Sequence, residues 1–198
     1  MTELSKRPGN SIKEYLDGRR KIYFKPAAYV LALSTIYFLI SQLTDQNTWL
    51  SDFLSGWASG TSDTGKETEI PFILTWISNN FAYATLLLLP VFSFASYLSF
   101  LGLGRNYFEH FIINSYATGQ QAIIYSLFIL MRTFIDSEFV EIFPAFIAFS
   151  YAVWVFWQVF NEGNRILNIL RSILSYILYF IFSTGLLLLA MGISEISN

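Results

Sequence analysis

Asn106, His110, Asn114, Thr118 and Gln121 stand four, four, four and three residues apart, a spacing that lines side chains along one face of a helix. From end to end that stripe would run about 22 Å. Glu109, Ser115 and Gln120 widen it. Its chemistry is hydrogen bonding by amides, hydroxyls and one imidazole, set in an otherwise apolar stretch. Such groups at membrane depth face protein or water rather than lipid. Two readings are open. The side chains bond neighbouring helices, within a subunit or across an interface, at about 0.6–2 kcal/mol per contact. Alternatively, they line a hydrated path or a pocket for a polar head group.

Other chemistry is scarce. There is no Cys and a single His, which excludes disulfides and thiolate sites and leaves no multi-His metal set within the chain. Gly102-Leu-Gly104 lacks the strand–turn–helix setting of a nucleotide loop, and neither G-x-S-x-G nor H-E-x-x-H occurs. His110-Phe-Ile-Ile-Asn114 matches a fragment of one class of intramembrane protease, but that class also needs a Glu pair and a second His. Glu109 and His110 form the one acid–base pair near a span. The chain is therefore expected to be non-enzymatic, without catalytic residues, metal or cofactor.

The elements that must position the stripe are membrane helices. Of 198 residues, 54% are hydrophobic, 19% aromatic and 13% charged; soluble domains carry about 25% charged residues. The sequence predicts an all-α membrane protein, a bundle of about five transmembrane helices with short interfacial amphipathic helices and no soluble domain. A bilayer core needs about 20 apolar residues per helix. Residues 26–43, 81–101, 111–131, 143–160 and 172–193 meet that need, with Ile70–Asn80 as an interfacial lead-in and Pro90 inside the second span.

Ten of the twelve Lys and Arg fall on one side of such a bundle, seven of them before Pro26; only Lys66 and Arg132 fall on the other. The positive-inside rule then places the N-terminus in the cytoplasm and the C-terminus outside; the expected compartment is a bacterial inner membrane. Residues 1–25 form a cytoplasmic basic amphipathic segment. Within it, Ser11-Ile-Lys-Glu14 reads as a capping box, with Ile12, Tyr15, Leu16 and Tyr23 toward lipid. The outer loop, residues 44–70, carries Trp49, Leu50, Phe53, Leu54 and Trp57 at helical spacing, beside a flexible Gly60–Gly65 run. That helix lies on the outer interface or packs on the spans. Ala28/Ala32 and Ala148/Ala152 offer small faces for close helix approach, and Phe146, Phe149, Val153, Phe156 and Phe160 a bulky seam. Anionic inner-leaflet lipids are the nearest partner for the basic segment, at about 1 kcal/mol per basic residue, ahead of nucleic acid.

The stretch R-P-G-x-x-I-K-E-Y-L-D-G-R-R-K-I-Y-F-K-P, from Arg7 to Pro26, resembles a bacterial multi-pass membrane family of unknown function. Tyr107-Phe-Glu-His110 is similar to that family's second element, a Tyr-x-Glu-His at the start of a later span. Many relatives carry an N-terminal zinc ribbon, which this Cys-free chain has no residues to form. The resemblance supplies no activity, and it directs attention to Tyr15, Gly18, Arg19, Arg20, Tyr23 and Pro26, with Glu109 and His110. Glu109 is a natural carboxylate partner for Arg19 or Arg20, in a basic cluster with Lys21.

The first functional expectation is an oligomeric membrane accessory or effector, pore-forming or membrane-perturbing, engaged through its basic face by a cytoplasmic protein. Small multi-pass proteins of this size accompany bacterial defence systems such as RNA-targeting CRISPR nucleases, an analogy of architecture alone. The alternatives are a small-solute or lipid carrier using the polar stripe, and a passive scaffold.

Overall fold

The computed structural model describes residues 4, 6–62, 72–135, 137–162 and 164–196; Lys66 and the second half of the Gly60–Gly65 run lie outside them. Among the described residues there are eight α-helices and no strand: α1 Pro8–Leu16, α2 Pro26–Leu43, α3 Trp49–Ser62, α4 Phe72–Asn79, α5 Phe81–Ser99, α6 Tyr107–Arg132, α7 Glu138–Val159 and α8 Arg165–Ile196. By length and apolarity four can cross a membrane: those carrying residues 20–43, 81–99, 139–159 and 165–190. The chain is thus a multi-pass membrane protein.

The boundaries follow from local chemistry. Pro26 opens α2 at a position where its missing N–H costs nothing. Asn80 leaves helical geometry at ψ 44°, separating α4 from α5. Gly102 (φ 89°) and Gly104 (φ 75°) take the left-handed conformations that turn the chain from α5 into α6, so the G-x-G is a reversal. Asn106 then caps α6: its side chain accepts from the Glu109 N–H, and the Glu109 carboxylate accepts from the Asn106 N–H.

α6 is the axis of the bundle. Its 26 residues run about 39 Å, packed against α2, α5 and α7. Short turns join it to α5 and α7, so it travels between the same two ends as they do. Its polar stripe lowers its hydropathy below that of the other long helices, and His110, Asn114 and Gln120 of that stripe are buried in the bundle. Close approach to α2 depends on Gly119, where a Cβ would lie 2.6 Å from the Tyr29 ring.

At one end lie α1, the Gly102–Gly104 turn, the start of α6 and the turn into α8, with Lys13, Arg19, Arg20, Arg105 and Arg165. At the other, Arg132 pairs with Glu141 at 2.9 Å and Asp52 at 3.6 Å, tying α7 and α3 to the end of α6.

Of the two amphipathic helices, α1 differs from the sequence reading and α3 takes one of its two alternatives. α1 begins at Pro8, and its N-cap Arg7 makes no side-chain cap. Ser11 is inside the helix and buried, so the Ser11–Glu14 capping box does not form. The apolar face of α1 meets protein rather than lipid. Ile12 is fully buried, the Gly9 N–H donates to Gln158 Oε1 at 2.8 Å, and a Cβ at Gly9 would sit 2.2 Å from Gln158 Cβ. Two turns deeper along α7, the Tyr151 hydroxyl donates to the Leu4 carbonyl. The N-terminal segment is part of the bundle.

For α3, packing on the spans is the outcome. Leu50 and Leu54 are buried, Trp49 stacks on Tyr125 at 6.0 Å, and the Trp49 N–H donates to the Tyr37 hydroxyl. Ala148 and Ala152 are buried as a close-packing face, whereas Ala28 and Ala32 face outward. In the α7 seam Phe156 and Phe160 are buried and Phe146 is exposed.

Candidate functional site

α6 meets α5 through a row of small hydroxyls. Ser93, Ser96 and Ser99 recur every three residues on α5, and α8 presents Asn168, Ser172 and Ser175 at similar spacing, all buried. Small residues let the backbones approach, which drives association where lipid removes the hydrophobic contrast. Most of these serines return their proton to a carbonyl one turn back. Ser96 does more. Its Oγ accepts from Asn114 Nδ2 at 2.8 Å and lies 3.0 Å from His110 Nδ1. The Ser93 carbonyl, 3.1 Å away, can take its proton. In that arrangement His110 donates through Nδ1 and Nε2 is left as an acceptor.

This knot is sealed. His110 and Asn114 have no exposed surface; Phe160 stacks on the imidazole at 5.3 Å, with Tyr97 and Phe100 at about 6 Å. His110 Nε2 and Asn114 Oδ1 have no hydrogen-bond partner among the described residues.

One turn further along α6 the packing opens. A cavity of about 380 Å³ lies between α2, α3, α5, α6, α7 and α8, with Ser34, Thr118, Gln121 and Tyr176 among aromatic and aliphatic walls. Gln121 Nε2 donates to the Ala148 carbonyl and the Tyr176 hydroxyl, both at 2.9 Å. The Ser34 hydroxyl, 1% exposed, has no partner among the described residues. Trp49 and Leu50 of α3 form the wall on the side away from the basic end.

The sequence-identified stripe therefore divides into four tasks. Asn106 caps α6, His110 and Asn114 form the knot, Gln120 bonds the Tyr29 hydroxyl, and Thr118 and Gln121 line the cavity. Glu109 does not reach Arg19 or Arg20. It pairs with Arg105 at 2.9 Å, one turn away on the same helix entry, while Arg19 lies 3.7 Å from Glu14 and Arg20 sits over the Tyr15 ring. Proximity along one helix wins over a pairing across the fold. Lys21 is exposed. Sequence reasoning missed Ser34, Ser96, Tyr29 and Tyr176. The three-residue repeat of Ser93, Ser96 and Ser99 was a readable signal for one of them.

The N-terminal motif acquires a structural meaning. The Tyr23 hydroxyl donates to Glu14, Tyr15 meets Tyr116 edge-on at 5.6 Å, and the Tyr116 hydroxyl donates to the Phe24 carbonyl at 2.6 Å. Gly18 turns the chain at φ 104°, a conformation that side chains resist. The motif clamps the entry of α2 onto α6.

Residues 1–38 match the model of a family described as "Protein of unknown function (DUF3667)". The match covers the Arg7–Pro26 motif and the first part of α2, and ends before the Tyr107–His110 element. No curated protein matches, and no solved structure matches.

Proposed function

We propose that this protein binds a small, largely apolar molecule bearing one hydroxyl or carbonyl group in the interior of its helix bundle, and carries it within or across the membrane. One observation carries the reading: a roomy, mostly apolar cavity lined by the Gln121 carboxamide and by a buried Ser34 hydroxyl that has no partner among the described residues. A buried hydroxyl without a bond costs about 1–3 kcal/mol, a cost that a ligand's polar group removes on entry. The volume falls in the range of small-molecule sites, about 300–1,000 Å³. α3 serves as the cover.

In this reading α6 is a fifth crossing. Both of its neighbours cross, and it runs between the same ends. The basic end is cytoplasmic by the positive-inside rule, in an inner membrane, with the C-terminus opposite. A pore is the weaker alternative, because the polar side chains of α6 turn inward onto protein partners and leave apolar residues on the outer faces of α7 and α8.

The test is photolabelling in proteoliposomes with a diazirine analogue of octanol, adducts being mapped by mass spectrometry. The proposal predicts saturable labelling of Tyr176, Tyr125 or Phe149, competed by octanol and lost in Gln121→Leu. Labelling confined to the lipid-facing side of α8 would refute it. Saturable uptake without ion leakage separates a carrier from a pore.

A further inference from the structure

The basic end holds a second, smaller pocket of about 210 Å³, where the end of α1 meets the α5–α6 and α7–α8 turns. Lys13, Arg105, Asn161 and Glu162 form its polar wall, with Val159 and Phe160 behind them. Lys13 Nζ donates to the neutral Asn161 Oδ1 at 2.8 Å, and no carboxylate stands within ion-pair distance of it among the described residues. Arg105 pairs with Glu109, but that carboxylate is already committed, because its second oxygen closes the α6 cap on the Asn106 N–H. The guanidinium keeps further N–H donors, and a planar fork of this kind suits phosphate.

Lys13 and Arg105 thus share one pocket whose single lining carboxylate, Glu162, is ion-paired to neither of them among the described residues. Burial lowers the proton affinity of Lys13, and the like charge of Arg105 lowers it further; Glu162 and Asp17 act in the opposite direction. An anion seated between Lys13 and Arg105 relieves that repulsion. Glu162 stands in the same wall and makes no ion pair among the described residues. Exposed Arg19, Arg20, Lys21 and Lys25 nearby draw anionic groups to this end.

We propose that this pocket binds a phosphate group through Lys13 and Arg105, with Glu162 receiving the ammonium of an attached ethanolamine. The chemistry is shared by a phospholipid headgroup and by free phosphate or phosphoethanolamine. The site is separate from the interior cavity, and neither depends on the other.

The experiment uses the full-length, delipidated protein in detergent. Calorimetric titration with inorganic phosphate and with phosphoethanolamine covers the soluble source. Native mass spectrometry with phosphatidylethanolamine against diacylglycerol covers the lipid source. Binding in either arm supports the site and identifies its source. Lys13→Gln should weaken phosphate binding about tenfold, as expected for one charge-assisted hydrogen bond, and Lys13→Arg should retain it. Glu162→Gln should weaken phosphoethanolamine binding while strengthening that of inorganic phosphate, an opposite-signed pair that a merely structural role does not produce. Should Lys13→Gln fail to fold, the Glu162→Gln pair decides alone. Failure of both arms to show binding, or a folded Lys13→Gln that binds as wild type, overturns the proposal.

Discussion

Two polar regions lie a turn apart on α6, and they are opposites. The His110–Ser96–Asn114 knot is fully enclosed and braced by rings. The Thr118–Gln121 region borders open volume and faces a hydroxyl that lacks a partner among the described residues. The difference lies in the neighbours, not in α6. Opposite the knot, α5 offers a serine and Phe160 fills the remaining space. Opposite Gln121, α7 offers Ala148, whose small side chain exposes a carbonyl and leaves room. The same four-residue spacing thus serves cohesion at one level and reception at the next.

The comparison can be broken most severely at the seam both regions share. Gly119→Leu drives a side chain into the Tyr29 ring. Overpacking costs about 1–3 kcal/mol, and loss of the adjacent Gln120–Tyr29 bond adds to it, so thermal unfolding in detergent should show the largest fall of the series. Ser96→Ala comes next. It strips His110 and Asn114 of their common partner and should cost about 1–3 kcal/mol, with octanol photolabelling of the cavity unchanged. Gln121→Leu reverses that pattern. Its stability cost is bounded by about 2 kcal/mol for an interhelical bond in a membrane, while saturable labelling is lost. Ser34→Ala runs in the opposite direction: it removes a buried hydroxyl that has no partner among the described residues, so stability should rise, by at most about 1–3 kcal/mol, with octanol competing a few-fold less well.

Much of the architecture was legible in the sequence. Long apolar runs between turn residues give the helix class, and α2 and the start of α5 fall where Pro26 and Phe81 place them. The inward stripe of α6 was legible too, since spacing alone puts those side chains on one face. The division of that stripe was not. Whether a polar residue caps, knots or lines a cavity depends on what faces it, and Ser96, Ala148 and Ser34 sit far away in the chain. Charge was the least reliable guide. Glu109 found Arg105 four residues away, and α1 packed on α7 and α6 rather than on lipid.

The absence of native cysteine permits a direct test of the contrast itself. Asn114→Cys and Thr118→Cys place single thiols one turn apart on α6, one in the sealed knot and one at the cavity. N-ethylmaleimide reactivity of both variants would be measured in membranes, on protein that remains monodisperse after extraction. The account predicts modification at Thr118→Cys, slowed by octanol, and none at Asn114→Cys. Equal reactivity at the two positions, or reactivity at Asn114→Cys alone, would contradict it.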